Sequence, residues 1–142
     1  MRTELDEHET DALELARKAA DKAYCPYSNF PVGACVLTDK GFFTGSNIEN
    51  SSYGLSICAE RVALFKAVSE GATVIRCMAI CCLKAGEQDA VGTKMPCGAC
   101  RQAMSEFMSQ GSRVVIDGAG VWLIEELLPQ AFELGKSYFI KK

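Results

Sequence analysis

The sequence predicts an α/β fold with three layers, formed as a single domain over residues 1–142. Segments of helical periodicity alternate with short β-branched runs, and the apolar stretch Val74–Leu83 has the character of a buried central strand. No repeat, low-complexity tract or linker divides the chain, and 142 residues at 49% hydrophobic content suit one core.

Asp6–Tyr24 is predicted helical. Ala12, Ala16, Ala19 and Ala23 recur at helical spacing, with acids early and Arg17, Lys18 and Lys22 late, as the helix dipole favours. Cys25-Pro26-Tyr27-Ser28 ends it, because proline disfavours the helical region for the residue before it. Two strands follow, Val32–Thr38 and Phe42–Ser46, joined by a tight turn at Asp39-Lys40-Gly41. Asn47–Ile57, rich in Asn, Ser and Gly, is an extended loop. Cys58–Glu70 is a helix closed by Gly71. After the strand Val74–Leu83 and a polar connection, Lys84–Met95, come a helix at Cys97–Met108 and a strand at Arg113–Ile116. A last helix, Leu123–Phe132, is interrupted near Pro129.

Charge and composition exclude several classes of function. A formal charge of −3 does not provide the clustered positive charge that attracts nucleic acid, so a small neutral or weakly charged ligand is expected. Met1–Thr10 is acidic and unlike an export leader, and no apolar run approaches the roughly 18–20 residues of a membrane span. The 8 cysteines therefore read as reduced thiols of a cytoplasmic protein.

Cys58-Ala59-Glu60 and Pro96-Cys97-Gly98-Ala99-Cys100 carry the chemistry. Cys97 and Cys100, three apart on the first turn of a helix, point the same way, and Cys58 opens its own helix. Two helix N-termini facing one point would each place about half a positive charge there, favouring thiolates. Three protein ligands hold a zinc ion with a fourth position open, the arrangement of a catalytic rather than a structural site. Glu60, two residues after the first cysteine, is placed to handle the protons of a water at that position. Three thiolates and Zn²⁺ sum to one negative charge, and Arg61 is expected to offset it by donating hydrogen bonds to thiolate. A C-x-x-C alone also fits redox and structural zinc sites, and a noncatalytic zinc module is the alternative from another class; Glu60 beside an open position argues against it. His8, the only histidine, fits a solvated helix residue. Cys77 and Cys81 share one strand face and Cys82 the other, as small buried hydrophobes; Cys25 and Cys35 also read as packing residues.

These motifs resemble the cytidine deaminases of the small homotetrameric type. The resemblance spans about Ala16–Phe132. It rests on Cys25-Pro26-Tyr27-Ser28-Asn29-Phe30, Val32-Gly33-Ala34, Asn47-Ile48-Glu49-Asn50, Cys58-Ala59-Glu60-Arg61, Pro96-Cys97-Gly98-Ala99-Cys100-Arg101-Gln102 and Glu126-Leu127-Leu128-Pro129. It implies a five-stranded mixed sheet flanked by helices, in a three-layer α/β/α arrangement. It also implies one Zn²⁺ per subunit on Cys58, Cys97 and Cys100, with Glu60 as proton shuttle in the hydrolysis of cytidine and deoxycytidine to the uridine forms with release of ammonia, a step of pyrimidine salvage. Asn47 and Glu49 would bind the ribose, Phe30 would lie near base and sugar, and the backbone around Ala59 would read the pyrimidine edge. Tyr53 and Phe132 would reach neighbouring subunits' pockets in a homotetramer. On the residues alone, Asn47 and Glu49 also fit an ordinary polar loop, and Phe30, Tyr53 and Phe132 fit packing.

The sequence departs from the family pattern in three places. Lys84–Met95 is longer than usual, Met95 stands where serine often precedes Pro-Cys, and Ile116–Trp122 is shortened; Trp122 and the Ser137–Ile140 tail have no counterpart. A rival within the same chemistry is a deaminase of a modified nucleoside such as blasticidin S. Asn47-Ile48-Glu49-Asn50 favours an unmodified ribose instead.

Overall fold

In the computed structural model, which describes residues 2–134, the elements run α1 (Glu7–Ala20), β1 (Val32–Thr38), β2 (Gly41–Ser46), α2 (Ala59–Ser69), β3 (Ile75–Cys82), α3 (Gly98–Phe107), β4 (Arg113–Ile116), β5 (Gly120–Leu123) and α4 (Ile124–Leu127). The strands form a five-stranded sheet in the order β2-β1-β3-β4-β5. Only β3 and β4 run parallel; the other pairs are antiparallel, so the sheet is mixed.

Period-two alternation builds the layers. On β3, Cys77, Ala79 and Cys81 join Cys35 of β1 and Val115 of β4 against Ala12, Leu13 and Ala16 of α1. The intervening Met78 and Ile80 face the other way with Ala34, Val36, Val114 and Ile116, against Ala59, Ala63 and Leu64 of α2 and Cys100 and Met104 of α3. The split of Cys77 and Cys81 from Cys82 follows the same alternation, since Cys82 packs with the second group.

Two glycines set how closely the outer helices approach. A Cβ at Gly33 would lie 1.9 Å from the Ala16 carbonyl oxygen, so α1 sits directly on β1. A Cβ at Gly45 would lie 2.5 Å from the Ala63 nitrogen, and this close seat fixes α2 on β2. Helix α1 starts with a reciprocal cap: Glu9 N–H donates to Asp6 Oδ1 at 2.7 Å and Asp6 N–H to Glu9 Oε2 at 3.2 Å. The carboxylate of Glu9, 4% exposed, also pairs with Arg113 of β4.

Several boundaries differ from the sequence reading. Helix α1 stops at Ala20 rather than Tyr24, because Tyr24 leaves to pair with the Asn47–Glu49 segment: its N–H donates to Asn47 O and its own carbonyl accepts from Glu49 N–H. Strand β3 begins at Ile75. Cys58 and Cys97 are extended N-cap residues just outside α2 and α3 rather than their first helical residues. Residues 120–123, partly assigned to a final helix, form β5, and α4 ends at Leu127. Leu128 precedes Pro129 and takes an extended φ of −142°, as a pre-proline residue favours. The long 84–95 connection includes a short 3₁₀ turn, Val91–Thr93. It ends on Lys94, which is 4% exposed with Nζ 3.5 Å from the Gly118 carbonyl. The Ser137–Ile140 tail lies outside the described residues.

Candidate metal centre and active site

The N-termini of α2 and α3 bring the three predicted ligands together. Cys58 Sγ lies 3.8 Å from Cys97 Sγ, Cys97 Sγ 3.5 Å from Cys100 Sγ, and all three sulfurs fall within 4.8 Å of one another. Tetrahedral zinc with Zn–S bonds of about 2.3 Å needs sulfurs about 3.8 Å apart, so the donor set and its spacing fit the ion. Cys100 is fully buried, Cys58 half-buried and Cys97 exposed. Among the described residues no other cluster of three or more metal-ligating side chains occurs.

Electrostatics separate Cys58 from the buried thiols. The Cys58 thiol is pushed down to about 5 by hydrogen bonding from Cys100, with Arg61 and Cys97 adding to it, against the opposing effect of burial. Cys100, as the donor to Cys58 and a buried group, is pushed up. Burial pushes Cys35, Cys77 and Cys81 up to about 12 and Cys82 to about 11, so these remain neutral packing thiols. None of the eight cysteines is in a disulfide.

Arg61, three residues after Cys58 on α2, turns back so that its Nη2 donates to Cys58 Sγ at 3.6 Å. Its Nε is buried without a hydrogen-bond partner among the described residues, an arrangement suited to a strongly anionic neighbour. Glu60 is 5% exposed in the first turn of α2. Its carboxyl is pushed up to about 7, chiefly by burial and further by the negative charge of Cys58, while a Cys100 contact and Arg61 act the other way. Ala59, fully buried, opens α2, whose first-turn N–H groups have no intrahelical acceptor.

The other candidates lie on three loop segments, residues 25–31, 47–57 and 128–134. Asn29 takes a left-handed φ of 54°, a conformation asparagine tolerates, and turns the chain ahead of Phe30. The Asn47 side chain grips both sides of Pro31: Val32 N–H donates to its Oδ1 at 2.8 Å and its Nδ2 donates to Phe30 O at 2.9 Å. Glu49 Oε1 accepts from the N–H groups of Tyr27 and Ser28 at 3.0 and 3.1 Å. Hydrogen bonds from Ser28 and Tyr27 hold this carboxyl below its ordinary range. Glu49 lines a cavity with Tyr27, Ser28, Tyr53 and Ser56, in which the Tyr27 and Tyr53 rings meet edge to face, 5.9 Å between centroids. Tyr53 is 75% and Phe132 68% exposed in the single chain. Phe132 lines a separate cavity against α3 and α4 rather than the one holding Glu49.

Sequence reasoning gave no role to Tyr27, the buried Lys94, or Arg101. Tyr27 and Arg101 stand inside the family motifs Cys25–Phe30 and Pro96–Gln102. Lys94 lies in the connection noted only for its length.

Comparison with known proteins places this geometry in a family. Residues 6–116 match the cytidine and deoxycytidylate deaminase zinc-binding region. The chain is 42% identical over 122 residues to the cytidine deaminase of Sporosarcina psychrophila, covering 82% of this chain and 85% of that one. It is 43% identical over 125 residues to that of Halalkalibacterium halodurans, covering 84% and 90%. The crystal structure of cytidine deaminase from Burkholderia pseudomallei superposes with a TM-score of 0.74 at 40% identity, covering 90% of this chain and all of the other. With that sheet order and a zinc-fitting trio of sulfurs, the chain belongs to the cytidine and deoxycytidylate deaminase family.

Proposed function

We propose that this protein hydrolyses cytidine and 2′-deoxycytidine to uridine and 2′-deoxyuridine, releasing ammonia. The observation that carries the reading is Glu60, a buried carboxylic acid beside three sulfurs that fit zinc and leave a tetrahedral ion one position for solvent. Cys58, Cys97 and Cys100 would hold the zinc ion, which when bound would supply Lewis acidity that makes water a competent nucleophile near neutral pH.

The residues of the chain do the rest. Glu60 takes a proton from the attacking water and delivers it to N3 of the ring as the bond from oxygen to C4 forms. It then carries the second proton to the exocyclic amino group, so that the C4–N bond breaks with loss of ammonia. One side chain serves as base and then as acid, which requires a carboxyl tuned toward working pH; burial supplies that tuning. Arg61 offsets the sulfur charge through Cys58.

Asn47 and Glu49 bind the ribose. The Asn47 amide spends Oδ1 and one N–H on the backbone at Val32 and Phe30, and its second N–H serves a sugar hydroxyl. Both backbone bonds to Glu49 fall on Oε1, and Oε2 accepts from a hydroxyl. Phe30 and the N–H groups at Ala59 contact the base. Tyr53 and Phe132, exposed in one chain, reach the pockets of neighbouring subunits in a homotetramer. The substrate is a free nucleoside rather than a polynucleotide, consistent with the net charge of −3. Among the described residues no helix is long and apolar enough to cross a membrane, and the eight free thiols suit the cytoplasm.

The test is an ultraviolet absorbance and ammonia-release assay on zinc-loaded protein with cytidine, deoxycytidine, cytosine and blasticidin S. Turnover of the two nucleosides well above cytosine and blasticidin S is expected. Turnover of blasticidin S alone would overturn the assignment of substrate.

A further inference from the structure

Arg101 and the Glu126–Pro129 motif have no part in the chemistry described so far, yet they meet. Arg101 follows the third ligand on α3. Its Nε donates to the carbonyl of Pro96 at 2.8 Å and its Nη1 to the carbonyl of Leu127 at 2.8 Å. Next to it, Gln102 Nε2 donates to Phe132 O at 3.2 Å. Consecutive side chains of the ligand helix thus tie it to the end of α4 and the segment beyond.

We infer that Arg101 is a positioning residue for the zinc centre, bracing Cys97 through the Pro96 carbonyl and anchoring that brace on α4. The inference rests on the zinc site described above. The Pro96 carbonyl belongs to the peptide unit that ends at the Cys97 nitrogen. Holding that oxygen therefore fixes the plane from which the Cys97 side chain departs. Cys97 is the ligand that most needs such help. Cys100 is fixed by complete burial and Cys58 by Arg61, whereas Cys97 is exposed and sits at an N-cap with no side-chain capping bond.

The guanidinium suits the task because its planar fork addresses two acceptors at once. At Leu127 it meets one of the last carbonyls of a helix, which lacks an intrahelical partner and favours a cation. The Glu126–Pro129 motif thereby gains a physical reason. Glu126 caps α4 by accepting from Leu123 N–H at 2.8 Å, and the extended Leu128–Pro129 step ends the helix where Arg101 reaches it.

The test measures zinc release into an excess of chromogenic chelator, with the absorption spectrum of the cobalt-substituted protein as a second readout. Wild type is compared with Arg101→Met, Arg101→Lys and Arg17→Met, the last removing a surface ion pair remote from the brace. Arg101→Met is expected to release zinc about 10–100-fold faster and to shift the cobalt–thiolate bands. Arg101→Lys, able to reach one carbonyl, should fall between, and Arg17→Met should match wild type. A folded Arg101→Met with wild-type release and spectrum overturns the inference, as does equal acceleration in Arg17→Met. If Arg101→Met does not fold, Arg101→Lys decides by the same two readouts. Wild-type protein that retains no zinc would instead overturn the zinc centre itself.

Discussion

At the residue scale, the pairing of Cys97 with Cys100 and the nearness of Glu60 to Cys58 follow from local spacing, whereas the meeting of Cys58 with Cys97, 39 residues apart, depends on the fold. An N-cap sulfur and one three residues on, in the first turn, lie on the same side of a helix start, and a carboxylate two residues from a ligand stays beside the metal without binding it easily. Asn47 was only half legible. Its side chain holds the backbone on both sides of Pro31, and that depends on a hairpin bringing residues 30–32 and 47 together. The sharpest expectation at this scale concerns Glu60. Replacing it with alanine should leave zinc content and fold intact and lower kcat for cytidine by at least about 10²–10⁴-fold, the usual contribution of general acid–base catalysis. Steady-state kinetics beside metal analysis checks this; an alanine variant with wild-type turnover would remove Glu60 from the mechanism.

Elements were legible where periodicity runs long and illegible where it is short. The continuous apolar run of β3 announced a strand buried on both faces, whereas β5 has four residues, opens on a glycine and runs directly into the acidic start of α4. Glycine contacts give a prediction for elements. Gly33→Ala would drive a methyl group into the Ala16 carbonyl, so thermal unfolding should show destabilisation at or above about 3 kcal/mol, the upper end of ordinary overpacking. A Gly33→Ala protein of wild-type stability would mean that α1 does not sit this close. The Arg17–Asp117 pair, bidentate at 2.8 and 2.9 Å, ties α1 to the turn between β4 and β5. Hydrogen bonds from Arg17 hold the Asp117 carboxyl below its ordinary range. Its stabilisation is therefore complete above the unfolded aspartate pKa of about 3.9 and fades as pH falls through the lower folded value. Because the pair is partly exposed, Asp117→Asn should cost no more than about 1 kcal/mol at pH 7, and the gap to wild type should close below about pH 4 in denaturant titrations. A gap that widens on acidification would contradict this assignment.

For the molecule as a whole, Tyr53, Leu55 and Phe132 are exposed in the single chain, and the proposed homotetramer would use Tyr53 and Phe132 to complete sites across subunits. Activity per chain should then fall as the protein is diluted through its dissociation range, in step with sedimentation velocity; constant specific activity in demonstrated monomers would refute shared sites. Fold class could be read from the order of elements, whereas the homotetramer is implied only by the family resemblance. The aromatics that would signal it are equally suited to packing, and one sequence does not say which side of an interface a side chain serves. The account as a whole depends on three sulfurs gripping zinc while one position stays open. Zinc K-edge X-ray absorption of the purified, substrate-free protein tests that directly. Three sulfur scatterers at about 2.3 Å and one oxygen near 2.0 Å are expected; four sulfurs, or protein free of zinc, would contradict the account.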